Sequence, residues 1–320
     1  MEVFFTCLVI FIVGLWAGMK IKKYGWFSKK RCRRFYLNIV GGHGPWSIGI
    51  LRGHSPFELH PPEHIDNPII TGKDVDDMDA LFVADPFLVT RDNAFYIFFE
   101  AMERKTNKAA IAYAFSNDLK DWSYGKIVIK EDFHLSFPYV FQHDSEFYMV
   151  PESSDDWSVR LYKSIRFPDK WEYVGNLLSG YQYKDPVIFF HNDLWWMFVS
   201  AGKNNITNLY FSKKLLGSWT PHPMNPVVKF DKKRARSAGR IFQLDGRLYR
   251  VAQDNSVRYG RQVFASEIVE LHENRYKERL IDTKPIVGPG DEDWNRSGMH
   301  TIDLHRFNDH WIAAVDGRRF

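Results

Sequence analysis

Polar and apolar positions repeat one arrangement five times: a short apolar run, a polar turn, then an aromatic-rich run. The segments are ADPFLVTRDNAFYIFFEA from Ala84, SFPYVFQHDSEFYMVPES from Ser136, KDPVIFFHNDLWWMFVSA from Lys184, SAGRIFQLDGRLYRVAQD from Ser237 and GMHTIDLHRFNDHWIAAVDG from Gly298. Their turns, RDNA, HDSE, HNDL, LDGR and RFNDH, carry the Asn, Asp and Gly chemistry of tight hairpins between antiparallel strands. Equivalent aromatics fall at Tyr96, Tyr148, Trp196, Tyr249 and Trp311, spaced 52, 48, 53 and 62 residues apart. After each of the first three hairpins comes a third apolar run ending near Trp122, Trp171 or Trp219, and Tyr276 takes that place in the fourth.

A period near 50 built from three or four antiparallel strands is blade-sized, and radial packing of such sheets leaves no long exposed edge. The pattern therefore predicts an all-β, five-bladed β-propeller. The chain stops just after the second strand of the fifth unit, so another segment must complete that blade, and WSIGILRG at Trp46–Gly53 has the strand character to do so. A two-domain sandwich is the structural alternative, but it does not explain a fivefold hairpin.

Ahead of the repeats, Val3 to Met19 form 17 uncharged positions, the lower limit for a helix crossing the hydrocarbon. Cations follow this run in KIKKYGWFSKKRCRR, while Glu2 precedes it. This favours one uncleaved N-terminal transmembrane helix over a cleaved signal peptide. The expected organisation is an anchor at 1–20, a basic juxtamembrane linker at 21–42 and the propeller at 43–320. Cations on the C-terminal flank imply a single-pass protein with the propeller on the cytoplasmic side, the alternative being a type II arrangement with a lumenal or periplasmic propeller.

Composition narrows the function. At 320 residues, 45% hydrophobic and 16% aromatic, the chain can bury one large core. Its formal charge is only +4, with much of the excess between Lys20 and Arg34, which argues against nucleic acid as a partner. Cys7 and Cys32 are the only cysteines, so the propeller holds neither a disulfide nor a cysteine-ligated zinc. No Walker loop, dinucleotide fingerprint or His-Glu-x-x-His motif occurs, and no cofactor or metal is called for.

In a propeller the first strand of each blade runs beside the central channel. This register places Asp85, Phe137, Asp185, Arg240 and His300 near the axis, with Glu100, Glu152, Ser200, Asp254 and Asp316 at the ends of the second strands. Asp85, Glu152 and Asp185 are the candidate acid/base group; Glu100, Arg240, Asp254, His300 and Asp303 are candidates for binding substrate. The competing readings are structural. Asp-Pro at 85–86 and 185–186 can open a strand, Arg240 and His300 can partner buried carboxylates, and the aromatics can fill blade cores.

The motifs FVADPF with FFEA, SFPYVF with YMVPES, KDPVIF, SAGRIFQLDGRLYRVAQD followed by YGRQV, and WNRSGMHTID with VDGR resemble one family. It is the propeller found at the N-terminus of glucosamine inositolphosphorylceramide transferases, and the likeness runs from about His43 to Arg318. Similar modules are fused to formyltransferases in bacterial polysaccharide pathways, and the body is more distantly similar to family 43 glycoside hydrolases. The hydrolase resemblance implies a general base at Asp85 and a supporting aspartate at Asp185. Where those enzymes open the fourth blade with their acid, a glutamate, this chain reads Ala238-Gly239-Arg240. Alanine supplies no proton, so Glu152 or Glu100 would have to serve.

The resemblance thus implies a membrane-anchored, carbohydrate-active propeller in glycan or glycolipid biosynthesis that binds or processes a sugar or glycolipid. The alternative is a non-catalytic glycan-binding module assisting a separate glycosyltransferase or formyltransferase.

Overall fold

The computed structural model describes residues 45–281 and 284–319, and every one of its five sheets is antiparallel. The described residues open with β1 (Trp46–Ser55) and β2 (Glu58–His60). Blade 1 follows as β3 (Ala80–Arg91), β4 (Ala94–Glu103), β5 (Ala109–Ser116) and β6 (Ser123–Ile129). Blade 2 is β7 (Ser136–His143), β8 (Glu146–Ser153), β9 (Ser158–Arg166) and β10 (Lys170–Ser179). Blade 3 runs β11 (Lys184–His191), β12 (Leu194–Ala201), β13 (Ile206–Ser212) and β14 (Thr220–Pro221), with β15 (Val228–Lys229) also on β13. Blade 4 holds β16 (Arg236–Ser237), β17 (Phe242–Leu244), β18 (Arg247–Asp254), β19 (Gln262–His272) and β20 (Arg275–Leu280). Blade 5 has β21 (Ile302–Phe307) and β22 (His310–Arg318).

Closure follows the sequence expectation. β1 pairs with β22 from Trp46 opposite Arg318 to Gly53 opposite Trp311, so the first described strand completes the last blade. The hairpin chemistry is realised as well: Asp92–Asn93, Asp144–Ser145, Asn192–Asp193 and Asp245–Gly246 all take the positive φ that a two-residue turn demands. Trp122, Trp171 and Trp219 occupy equivalent corners, where each indole N–H donates to a carbonyl three or four residues earlier. Apolar side chains fill the wedges between neighbouring blades, as Phe87, Phe137, Tyr139, Val187 and Phe198 do across blades 1 to 3.

No helix among the described residues is long and apolar enough to cross a membrane. The expected anchor at 1–20 and linker at 21–42 lie outside the described residues.

Candidate functional site

At the mouth of the channel the inner strands begin with a shared irregularity. Between Ala84 and Phe87, Ser136 and Tyr139, and Lys184 and Val187 the strand register slips. The residue inside each slip, Asp85, Phe137 or Asp185, takes a positive φ of 54°, 48° or 46° and stands directly before a proline. Such backbone is unfavourable for a non-glycine residue, at a cost of about 1–3 kcal/mol, and persists only where the surroundings hold it. Carboxylates from the preceding blade do the holding. Asp316 accepts the N–H of Asp85 at 3.1 Å, Asp85 that of Phe137 at 3.3 Å, and Glu152 that of Asp185 at 3.2 Å. The acids that line the channel therefore also tie successive blades together.

Around this relay sits a crowded acidic cluster. Asp85, Glu100, Glu152 and Asp185 are all buried. Glu100 hydrogen-bonds Asp85, and burial together with that neighbour raises the Glu100 pKa well above the usual carboxylate range. Burial also raises Asp85, against the pull of His300. Asp185 is pushed up to about 7, because burial and its contact with Glu152 outweigh the charge of Arg236. A carboxyl that keeps its proton near neutrality can donate a hydrogen bond as well as accept one.

Arg236 is the cation of this cluster. Its guanidinium forks onto both oxygens of Asp185, reaches Glu152 Oε2 at 3.5 Å and meets Asn204 Oδ1 at 3.4 Å. Tyr259, 42% exposed, covers it at 5.1 Å from the ring centroid. Gln253 donates to Asp185 at 3.2 Å and to the Ser237 carbonyl at 2.9 Å. Across the mouth, His300 is stacked on Trp46 at 4.0 Å with Tyr259 edge-on at 5.3 Å. Its Nδ1 lies 2.6 Å from Asp316 and its Nε2 lies 3.7 Å from Asp85. Burial opposes its charge, but Asp316 outweighs burial and raises its pKa. His134 accepts the Ala109 N–H on Nδ1 at 3.1 Å, which leaves Nε2 protonated and 3.9 Å from Glu100.

Deeper in the channel lies a second ion pair. Arg240 donates to both oxygens of Asp303, at 2.6 and 3.2 Å, and to the Val140 carbonyl at 3.0 Å. Asp303 also accepts the Leu88 N–H at 2.7 Å and sits 2.9 Å from His305 Nε2. Burial alone would raise Asp303, but Arg240 and His305 bring it down to about 2.

The structure thus gathers Asp85, Glu100, Glu152, Asp185 and His300 at the mouth and sets Arg240 with Asp303 in a separate layer below. Asp254 joins neither. Its carboxylate accepts from Ser256 N–H at 2.9 Å and from Gln262 Nε2 at 2.8 Å, closing a turn. The residue aimed at the cluster is its neighbour Gln253, as strand alternation requires. Arg236, Gln253, His134 and Tyr259 were absent from the sequence-based set. Gln253 was legible, because it follows Tyr249 by the same four positions that separate Tyr96 from Glu100 and Tyr148 from Glu152.

Two chemical questions can be put to this site. Asp85, His300 and Asp316 are the one acid and imidazole trio among the described residues whose ligand atoms come within 4.8 Å of one another, and they would be the donors for a cation. Hydrogen bonds already account for their placement, since Asp316 accepts the N–H groups of Asp85, His300 and Thr301, and Thr301 Oγ1 donates to Asp85 at 2.6 Å. As for a fourth-blade acid, Ala238 is buried and its carbonyl takes the Ile302 N–H at 2.8 Å. A Cβ on Gly239 would fall 1.8 Å from the Ile302 carbonyl, so this corner has room for no side chain there.

The fold is shared with solved carbohydrate enzymes. A thermostable family 43 glycoside hydrolase superposes with a TM-score of 0.56 at 14% identity, over 79% of this chain and 91% of that one. The GH62 α-L-arabinofuranosidase domain of Coprinopsis cinerea gives 0.56 at 13% identity, over 73% and 90%. The family 117 glycoside hydrolase Zg3597 of Zobellia galactanivorans gives 0.54 at 13%, over 77% and 87%. At such identities the likeness concerns the fold alone.

Sequence relatives are nearer. Glucosamine inositolphosphorylceramide transferase 1 of Oryza sativa subsp. japonica is 33% identical over 97% of this chain and 46% of its own length. The protein of the same name from Arabidopsis thaliana is 33% identical over 86% and 39%. The chain spans less than half the length of these relatives. Residues 40–318 match the family model described as glucosamine inositolphosphorylceramide transferase 1, N-terminal. With a family match over most of its length and the fold to accompany it, this chain belongs to the family of the N-terminal region of glucosamine inositolphosphorylceramide transferase 1.

Proposed function

We propose that this propeller is a carbohydrate-recognition module in glycolipid or glycan assembly, and that it binds a sugar-bearing headgroup at the Arg236 mouth of its channel. The observation that carries the reading is Arg236 itself, held by Asp185 and Glu152 beneath the half-exposed ring of Tyr259. A fixed guanidinium beside an aromatic platform suits a sugar that presents hydroxyls on one side and an apolar ring face on the other. Gln253 Oε1 and Ser237 Oγ, buried beside it, have no hydrogen-bond partner among the described residues. The names of the relatives suggest an amino sugar or an inositolphosphoryl headgroup. Membrane attachment through Val3–Met19, with the propeller on the cytoplasmic side, and a partner glycosyltransferase belong to the same proposal.

A catalytic reading has one observation in its favour: the paired acids Asp85–Glu100 and Glu152–Asp185 include members that hold protons near neutrality. Ala238, which stands at the position of the family 43 acid and carries no ionisable group, weighs against hydrolysis of that kind.

The test is calorimetric titration of the full chain with amino sugars, sugar nucleotides and inositol phosphate, alongside Asp85→Ala, Glu152→Ala and Arg236→Met, with products followed by mass spectrometry. Saturable binding lost in Arg236→Met without turnover supports a recognition module. Turnover lost in Asp85→Ala or Glu152→Ala makes it an enzyme, and absence of binding to the whole panel refutes both.

A further inference from the structure

Three loops, with the strand ends Lys229 and Arg236 that flank the second, form one side of the site's rim, at 202–205, 230–235 and 255–261. They are joined to one another, Asp231 N–H to the Asn205 carbonyl at 3.2 Å and Asn255 N–H to the Lys232 carbonyl at 2.8 Å, and to the site through Arg236 and Asn204. At their tips stand Phe230 and Val257, 73% and 72% exposed, more than any other large apolar side chain described. Phe230 is held outward by a positive φ of 57°, a conformation unfavourable for a bulky residue.

An exposed apolar side chain by itself is ordinary. What distinguishes these two is their setting. Lys203, Lys229 and Lys232 are exposed around them, with Lys233, Arg234 and Arg258 close behind. Asp231 is the sole acid in the three loops, and Arg234 pairs with it at 2.7 Å. The opposite face also exposes apolar groups, Phe190 and Leu216 among them, and cations such as Lys213 and Lys214, but its charge is mixed, since each of the five hairpin turns carries an aspartate: Asp92, Asp144, Asp193, Asp245 and Asp309. Isolated apolar tips within a cationic rim match the boundary of an anionic bilayer, whose headgroups attract lysine while aromatic and aliphatic tips enter below them.

We infer that this rim docks the propeller on anionic lipid, inserting Phe230 and Val257, so that the Arg236 mouth opens at headgroup level. The inference stands apart from the identity of the ligand: docking can hold while sugar binding fails, and the reverse.

Hydrogen exchange on the full chain tests it, in vesicles of phosphatidylcholine alone and of phosphatidylcholine with phosphatidylserine at 7:3. Amides of 229–236 and 255–261 should exchange at least about fivefold more slowly on the anionic vesicles, the effect expected of even one well-placed lysine. The double variant Phe230→Gly, Val257→Ser should erase the difference while its thermal midpoint stays unchanged, since glycine adopts the backbone of residue 230 readily. Lys229→Glu with Lys232→Glu should erase it as well. Equal exchange on both vesicles overturns the inference, as does protection at the aspartate-bearing turns instead. Protection that grows with protein concentration and needs no vesicles assigns the rim to a second copy of the chain and overturns it too.

Discussion

Two arginine–aspartate pairs lie in the same channel, four residues apart on the fourth blade, and they behave oppositely. Asp303 meets Arg240, His305 and the Leu88 N–H, and it is held down to about 2. Asp185 meets Arg236 and Gln253 but also Glu152, with Asp85 and Glu100 close by, and it is pushed up to about 7. Burial is similar in both layers; the difference is stoichiometry. Where cations and donors match the acid, the pair acts as a rivet between blades. Where acids outnumber the cation, protons stay, and the group remains able to change partner or charge when a ligand arrives.

The largest effect should come from breaking the rivet. Asp303→Ala leaves Arg240 buried without its carboxylate, and loss of one partner from a buried pair costs about 3–5 kcal/mol. Asp185→Asn removes a charge from a crowded cluster and keeps an acceptor for Arg236, so its cost should be below about 1.5 kcal/mol. Urea unfolding of the two variants decides the matter, and equal destabilisation would erase the distinction between the layers.

The same contrast predicts two limbs in the pH dependence of stability. Asp185 has a folded pKa raised from 3.8 to about 7, so its contribution is full below 3.8 and is lost as pH rises toward 7, because the unfolded chain ionises first. The interval corresponds to roughly 4 kcal/mol. Asp303, lowered from 3.8 to about 2, works the other way: its contribution is present above 3.8 and is lost as pH falls toward 2. Unfolding free energy should therefore fall between pH 4.5 and 7.5, and Asp185→Asn should make that slope shallower, while Asp303→Ala should leave it in place. A wild-type protein equally stable at both pH values would contradict the proton-holding cluster.

Arg236 tests where the ligand sits. Arg236→Met should weaken sugar binding by about tenfold to a hundredfold, the worth of a charged hydrogen bond, whereas Arg240→Met should destabilise the fold without that selective loss. If calorimetry finds the two variants equal in affinity, the mouth is not where the ligand sits.

The architecture was written plainly in the sequence because five copies of a hairpin report the same geometry five times, and Trp46–Gly53 had the strand character to pair with the fifth, as β1 does with β22. The acids of the first three blades were legible for the same reason. The fourth blade was not, because its inner strand breaks into β16 and β17 and carries an extra residue between Ser237 and Phe242 relative to the other blades. Arg236 is the residue this displaces from view, being the last cation of KKRAR, a run that reads as a solvated loop. Pairing across the layers was equally hidden. Nothing local in the chain says that Arg240 will find Asp303 and not Asp185, since the choice is made by how blades 4 and 5 stack.

Tyr259 offers the finest cut. Its ring is 42% exposed, touches Arg236 on one side and His300 on the other, and belongs to the 255–261 loop and not to a blade. Tyr259→Ala should consequently lower the unfolding midpoint less than Asp303→Ala does, because no strand pairing and no buried ion pair depends on it. Sugar binding should weaken by about fivefold, the worth of roughly 1 kcal/mol of aromatic contact, and Tyr259→Phe should restore it if the ring face carries the interaction. Restoration by phenylalanine would mark a stacking platform, whereas a loss shared by both variants would shift the role to the phenol oxygen and make the mouth a polar site throughout.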